Sequence, residues 1–176
     1  MDTKSYKEYL HQITTFVFDV DGVLTDGSVI ITTDGQLLRT MNTKDGYALK
    51  TAVDKGYNVC IISGGSNEGV RSRLRALGIT DIYMGSHHKA EELDRYLDVY
   101  GIAPQHVLYM GDDIPDLPAM EMVAVASCPQ DAVQEVKNAS LYVSHKRGGQ
   151  GCVRDIIEQV LKVQGKWAAD TEAKYD

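Results

Sequence analysis

Short apolar runs alternate with longer stretches of helical periodicity along the chain. Phe16-Val-Phe18, Val59-Cys-Ile-Ile62, Ile82-Tyr-Met84, Val107-Leu-Tyr-Met110, Val123-Ala-Val-Ala126 and Leu141-Tyr-Val143 read as strands. The longest are apolar throughout, as strands buried on both faces of a parallel sheet must be. Between them lie predicted helices. One runs from Asp45 to Lys55-Gly56, one from a Ser66 cap to Gly78, and one from His87 to Tyr100 with Leu93, Leu97 and Tyr100 at helical spacing. Two short ones follow, Leu117–Met122 and Asp131–Asn138, and a longer one starts at Cys152. Residues 1–12 form a polar lead-in of one or two helical turns.

One segment breaks the alternation. Val29–Thr33 and Gln36–Thr40 are β-prone and flank Asp34-Gly35, which predicts a hairpin over about 28–41 with both turn residues at positive φ. Val29, Ile31 and Leu37 are more apolar surface than a lone hairpin can bury, so it is expected to pack against something, a second subunit being a good candidate.

Strands alternating with helices predict an α/β fold, a parallel sheet flanked by helices, and no repeat or linker divides the 176 residues into more than one domain. In such sheets the site lies beyond the carboxyl ends of the strands. Three ends carry chemistry: Asp19 and Asp21 after the first strand, Ser63-Gly64-Gly65 after the second, and Gly111-Asp112-Asp113 after a later one. Residues i and i+2 of a strand point to one face, so Asp19 and Asp21 leave the sheet together. Two close like charges need a cation or a proton, so the pair is half of a magnesium site, an acid–base pair, or both.

Composition narrows the partners. The hydrophobic fraction is 43%, the charged fraction 24% and the formal net charge −7, which argues against nonspecific nucleic-acid binding and leaves an anionic small substrate open. Cys60, Cys128 and Cys152 are an odd, widely spaced set without zinc spacing, and fit a reducing compartment. The N-terminus lacks the apolar core of a signal peptide, and no apolar stretch approaches the ~20 residues of a membrane span. The expectation is a cytoplasmic protein without membrane partners.

Magnesium takes oxygen ligands and keeps several waters. Asp19, Asp112 and a backbone carbonyl at Asp21 can supply three oxygens. Asp19 can then act as nucleophile on phosphorus and Asp21 as general acid and base. Lys89 at a helix start can neutralise phosphate charge, while Ser63 and the N–H groups of Gly64 and Gly65 can hold phosphate oxygens.

Asp19-Val-Asp21-Gly22, Ser63 after an apolar strand, Lys89, and Gly111-Asp112-Asp113-Ile-Pro-Asp116 together resemble the haloacid dehalogenase superfamily of phosphatases. The resemblance spans nearly the whole chain. It implies a Rossmann-like core, Asp19 as nucleophile, Asp21 as acid/base, Ser63 and Lys89 as phosphate binders, Asp112 as a magnesium ligand, and Asp113 and Asp116 as supporting carboxylates. Residues 22–62 and 64–88 leave no room for an inserted cap. The chain is similar to the capless members that act on 3-deoxy-D-manno-octulosonate 8-phosphate (KDO 8-phosphate). Further matches are Leu24-Thr-Asp26-Gly27, Asn42-Thr-Lys-Asp-Gly46, Leu77-Gly-Ile79 and Gly148-Gly-Gln-Gly-Cys-Val-Arg154.

That resemblance implies a homotetramer in which the hairpin and a flexible C-terminal segment from about residue 145 cover neighbouring sites. It also implies a sugar-acid phosphate pocket lined by Asn42, Thr43, Lys44, Asp45, Gly46, Lys50, Gly64, Lys89 and Arg73. Some relatives carry an arginine where this chain has Gly65, with Lys44, Arg73 or Arg147 left to meet the substrate carboxylate. A nine-carbon sugar-acid 9-phosphate is the alternative substrate, and a catalytically silent assembly module of a sugar-activating enzyme is the non-enzyme alternative.

Overall fold

The computed structural model describes residues 5–167. A short helix α1 (Tyr6–Leu10) leads into strand β1 (Thr15–Phe18). The hairpin strands β2 (Ile30–Ile31) and β3 (Leu37–Leu38) follow, then α2 (Thr43–Asp54), β4 (Asn58–Ser63), α3 (Glu68–Ala76) and β5 (Asp81–Met84). The second half runs α4 (Lys89–Tyr100), β6 (Val107–Met110), α5 (Leu117–Met120), β7 (Val125–Cys128), α6 (Gln134–Ala139), β8 (Tyr142–Val143) and α7 (Cys152–Val163).

Six strands form one parallel sheet in the order β5-β4-β1-β6-β7-β8. The chain builds outward from β1 on one side and then on the other, so β1 stands where the strand order reverses. Its residues alternate between two cores. Phe16 and Phe18 pack with Ile61, Leu108 and Met110 under α1, α2, α3 and α7, whereas Val17 packs with Cys60, Ile62, Val107 and Tyr109 under α4, α5 and α6. Phe18 is in register with Ile61 on β4 and Met110 on β6, and the Asp19 N–H continues the ladder onto the Met110 carbonyl at 3.1 Å. That register delivers Asp19 and the loop after Met110 to the same edge.

Several expectations are corrected. The hairpin turns through a three-residue loop, not a two-residue one. The Gly35 N–H bonds Thr32 O, the Thr32 N–H bonds Gln36 O, and only Gly35 takes positive φ (82°). Glycine supplies the left-handed position without strain, so Asp34 need not. The second long helix is capped by Asn67, whose side chain accepts from the Val70 N–H at 3.0 Å, and not by Ser66. The β7 strand begins two residues late, because its pairing partner Leu108 meets Val125.

The largest difference is at the C-terminal end. The glycine-rich segment is no loose joint. The Gly149 N–H donates to Val23 O at 2.9 Å, and a Cβ at Gly148 would overlap the Gly22 carbonyl oxygen. The helix that follows buries Cys152, Val153, Ile156, Ile157, Val160 and Leu161 completely. Removing residues beyond Ser144 therefore strips the core, and the C-terminal segment expected to be flexible from about residue 145 is instead a packed part of the fold. The last polar and charged residues, which the sequence predicts to fray, fall on 168–176, outside the described residues.

Candidate active site

Asp19, Asp21, Ser63, Gly64, Gly65, Lys89, Asp112, Asp113 and Asp116 line one cleft of about 330 Å³ at the carboxyl edge of the sheet. The turn after β1 is built to hold it. Val20–Leu24 closes with the Thr25 N–H on Val20 O at 3.0 Å, and the buried Thr25 hydroxyl accepts from the N–H groups of Gly22 and Gly27 at 3.3 and 3.2 Å. Gly22 takes φ 90°, and a Cβ there would overlap the Asp112 carboxylate, so only glycine lets the two loops meet.

Lys89 is the hub. It is buried at the first turn of α4, 2.9 Å from Asp19 Oδ2 and 2.7 Å from Asp116 Oδ1. Burial works to lower its pKa, but the two carboxylates outweigh that and raise it, so it stays an ammonium. Asp116 is fully buried and both oxygens are occupied. Oδ1 also accepts the Tyr109 hydroxyl at 2.9 Å, and Oδ2 accepts the N–H groups of Asp112 and Asp113 at 3.0 and 3.3 Å. Asp113 itself is exposed, and its carboxylate accepts the Ile114 N–H at 2.8 Å. Asp19 Oδ1 accepts the Val20 N–H at 2.6 Å.

Asp19, Asp112 and Asp116 bring carboxylate oxygens within 4.8 Å of one another. Asp116 is saturated by donors and is a poor candidate ligand. Asp112 is the opposite: its Oδ1 is buried with no hydrogen-bond partner. Burial, then the neighbouring charges of Asp19 and Asp116, pushes its pKa up to about 8. Burial and Asp116 push Asp19 up to about 6 against the pull of Lys89. The cluster is short of positive charge at the open oxygen of Asp112. A hard divalent cation held by Asp19 and Asp112 fits that donor set.

Ser63 is buried at the end of β4, and its Oγ accepts the Gly65 N–H at 3.2 Å. The hydroxyl proton is thereby left to donate into the cleft. This corrects one expectation: the Gly65 N–H is already used, and helix α3 starts only at Glu68, so Gly64 and Gly65 do not sit at a helix N-terminus. Asp21 is a third exposed and carries an ion pair that sequence reasoning missed. Arg39, just past β3, places Nε 2.6 Å from Asp21 Oδ1 and Nη2 3.1 Å from Oδ2. The role of Tyr109 is also not read from the sequence, and Thr25 appears there only inside the Leu24-Thr-Asp26-Gly27 match, without its part in holding the turn. Inside a strand pattern Tyr109 reads as core, and no local signal marks its hydroxyl.

Of the expected sugar-acid pocket, Gly64 and Lys89 line this cleft, and the other residues lie elsewhere in this chain. Asn42 caps α2, accepting the Lys44 N–H at 2.8 Å, and with Lys44 lines a separate cavity against α7. Thr43 is exposed at the start of α2, and Lys50 pairs with Asp54. Arg73 lines a cavity behind the hairpin with Leu38, Arg39 and Met41, and its guanidinium packs over Gly46. Asp45 is buried and turned away from the cleft, with Oδ1 accepting the Arg154 N–H at 2.8 Å in the first turn of α7.

A strand-end carboxylate pair facing a buried lysine and a second acidic loop defines a class. Residues 44–123 match the family model described as haloacid dehalogenase-like hydrolase. The 3-deoxy-D-manno-octulosonate 8-phosphate phosphatase of Salmonella typhi is 36% identical over 154 residues, 88% of this chain and 82% of that one. The chain belongs to the haloacid dehalogenase-like hydrolases, in the family of these octulosonate 8-phosphate phosphatases. Among solved structures, the enzyme of that name from Yersinia pestis superposes with TM-score 0.89 at 30% identity, covering 92% of this chain and 87% of that one. The one from Moraxella catarrhalis, in complex with magnesium, phosphate and KDO, superposes with TM-score 0.88 at 32% identity, covering 91% and 92%.

Proposed function

We propose that this chain hydrolyses the phosphate monoester of KDO 8-phosphate, releasing KDO and phosphate, with magnesium as cofactor. The observation that carries the reaction is the convergence of Asp19, Lys89 and Asp112, whose Oδ1 is buried without a hydrogen-bond partner, beside the hydroxyl of Ser63. The substrate rests on the likeness to the named relatives.

Asp19, Asp112 and the Asp21 backbone carbonyl would hold the magnesium. When bound, it neutralises negative charge on the carboxylates and on the transferring phosphoryl group. Asp19 attacks phosphorus and the ester oxygen leaves, giving an aspartyl-phosphate. Asp21 gives its proton to the departing alkoxide and then takes one from the attacking water. Lys89 offsets phosphate charge while held by Asp116, and Ser63 Oγ and the Gly64 N–H bind phosphate oxygens. Asp113 and Asp116 support the lysine and the Asp112 loop.

We extend the reading to a homotetramer. Ile30 and Ile31 on the hairpin are 61% and 70% exposed, with Val29, Leu37 and Leu38 beside them, a patch that a neighbouring subunit would cover. Such an assembly would let Asn42, Thr43, Lys44, Lys50 and Arg73 contribute to substrate pockets that a single chain leaves open, while Asp45 stays buried against α7. A cytoplasmic setting accords with three free, buried cysteines.

The test is phosphate release from KDO 8-phosphate, nine-carbon sugar-acid 9-phosphates and hexose phosphates, with magnesium and with chelator. Chelator-sensitive preference for the eight-carbon acid is expected. Preference for a nine-carbon acid would keep the chemistry and replace the substrate. No release from any would remove the enzymatic reading.

A further inference from the structure

The Asp21 carboxylate is not oriented by its own loop. None of the donors on the turn Val20–Leu24 reaches it. The group that does comes from the hairpin: Arg39 grips it with Nε at 2.6 Å on Oδ1 and Nη2 at 3.1 Å on Oδ2. The Arg39 side chain is 7% exposed although it belongs to an otherwise exposed hairpin. Its third nitrogen, Nη1, donates to Leu37 O at 3.2 Å. The same carbonyl accepts Asn67 Nδ2 at 2.8 Å, and Asn67 is the cap of α3. The chain Asn67–Leu37–Arg39–Asp21 therefore ties the hairpin stem to the scaffold at one end and to the cleft at the other. Space for it is made by Gly65. A Cβ there would stand 3.0 Å from Asp21 Oδ2 and 3.4 Å from Arg39 Nη2.

The geometry points to Arg39 as a positioning residue that aims the Asp21 carboxylate at the leaving-group oxygen, making proton transfer depend on the seating of the hairpin. This rests on the reading of Asp21 as general acid. Both oxygens accept from the guanidinium, Oδ1 at 2.6 Å and Oδ2 at 3.1 Å, so rotation of the carboxylate is fixed, and the more weakly held Oδ2 is the oxygen that exchanges the proton. A guanidinium suits this task because its planar fork fixes rotation of a carboxylate, which the point charge of a lysine cannot do. The phosphoryl transfer itself does not change: the P–O bond to the leaving group breaks, the Asp19–phosphorus bond forms, and the proton passes from Asp21 to the departing oxygen.

The experiment compares kcat/KM for a sugar-acid phosphate, KDO 8-phosphate, and for p-nitrophenyl phosphate, whose phenolate leaves without a proton. The proteins are the unmodified chain, R39Q, R39K, D21N and the R39Q/D21N double variant. R39Q is expected to lose about tenfold or more on the alkyl ester and less than about threefold on the aryl ester, since general acid catalysis helps only a poor leaving group. R39K should fall between, with an unchanged melting temperature, and carries the test alone if R39Q fails to fold. In the D21N background R39Q should add nothing, because both changes act through one carboxylate. Equal losses on both esters, or losses that multiply with D21N as expected of a residue reading the substrate carboxylate, would overturn the proposal. A D21N protein with no alkyl-over-aryl deficit would instead remove the general-acid assignment, a separate failure.

Discussion

The strand-end cluster and the hairpin solve opposite problems with the same few residue types. At the strand ends, Asp19, Lys89 and Asp116 are buried, and every oxygen of Asp116 has a donor. The hairpin is two-residue strands with exposed isoleucines and leucines, touching the cleft through Arg39 alone among its side chains. The cluster is positioned by parallel strand register and by glycines that let loops meet, so it needs no partner. The hairpin has little of its own to hold it. The chemistry is thus built into the scaffold, and recognition is left to what closes over it. Substitutions should divide accordingly: those in the cluster change the rate of the chemical step, those in the hairpin other than Arg39 change assembly and selectivity.

The largest effects belong to the cluster. Asp19→Asn should lower phosphate release by at least about 10³-fold while leaving the urea midpoint nearly unchanged, since a neutral amide sheds the burial cost of the charge. Near-normal turnover would remove the nucleophile. Lys89→Ala leaves Asp19 and Asp116 facing each other unpaired, and breaking a buried pair costs about 3 kcal/mol. Its turnover should also fall at least about a hundredfold, as for loss of a charge-stabilising donor. Urea denaturation and phosphate release on one preparation check both arms.

Magnesium gives the next test, because its effect on stability should depend on Asp112. A cation that binds only the folded chain at 100 times its Kd adds about 3 kcal/mol of stability. Thermal melts should rise with magnesium and fall with chelator in the unmodified protein. Asp112→Asn should flatten that response, since it replaces the carboxylate whose Oδ1 is buried without a partner. An undiminished rise in this variant would place the cation elsewhere.

How legible all this is from sequence follows the same division. Strand ends are marked locally: Phe16-Val-Phe18 stops at Asp19, and Val107–Met110 stops at Gly111-Asp112, so position along the chain already implies position in the cleft. Arg39 is one arginine in a β-prone run. Its contact with Asp21 spans 18 positions and depends on how the hairpin folds back, which no periodicity encodes. The C-terminal segment reads as flexible because Gly148-Gly149-Gln150-Gly151 carries no sign of its close packing against Gly22 and Val23.

Asp45 shows the cost of carrying a motif across without its burial, and it gives a smaller, pH-dependent test. Its carboxyl is 1% exposed, Oδ2 has no partner, and burial raises its pKa from 3.8 to about 6 against the backbone N–H bonds it accepts. The folded chain therefore binds more protons at this group than the unfolded chain between about pH 4 and 6, and stability falls as pH rises through that window. A shift of this size corresponds to about 3 kcal/mol. Asp45→Asn keeps an oxygen for the Arg154 N–H and should lose that slope. Comparing the two proteins in saturating magnesium separates it from the carboxylates of the cleft. Parallel stability curves would mean that Asp45 titrates normally.

The smallest change in fold stability is expected on the exposed hairpin, where Ile31 is 70% exposed. Ile31→Lys on the hairpin should alter the stability of the single chain by less than about 0.5 kcal/mol, the usual range for a surface position. Its effect should appear in sedimentation, as a shift to smaller species at a concentration where the unmodified chain is assembled. If neighbouring subunits complete the pocket, kcat/KM for the sugar-acid phosphate should fall with that dissociation. Hydrolysis of p-nitrophenyl phosphate, which needs only the strand-end cluster, should hold. A loss on both esters would mean that the hairpin supports the cluster itself, and the division between built-in chemistry and borrowed recognition would fail at its weakest joint, the Arg39–Asp21 pair.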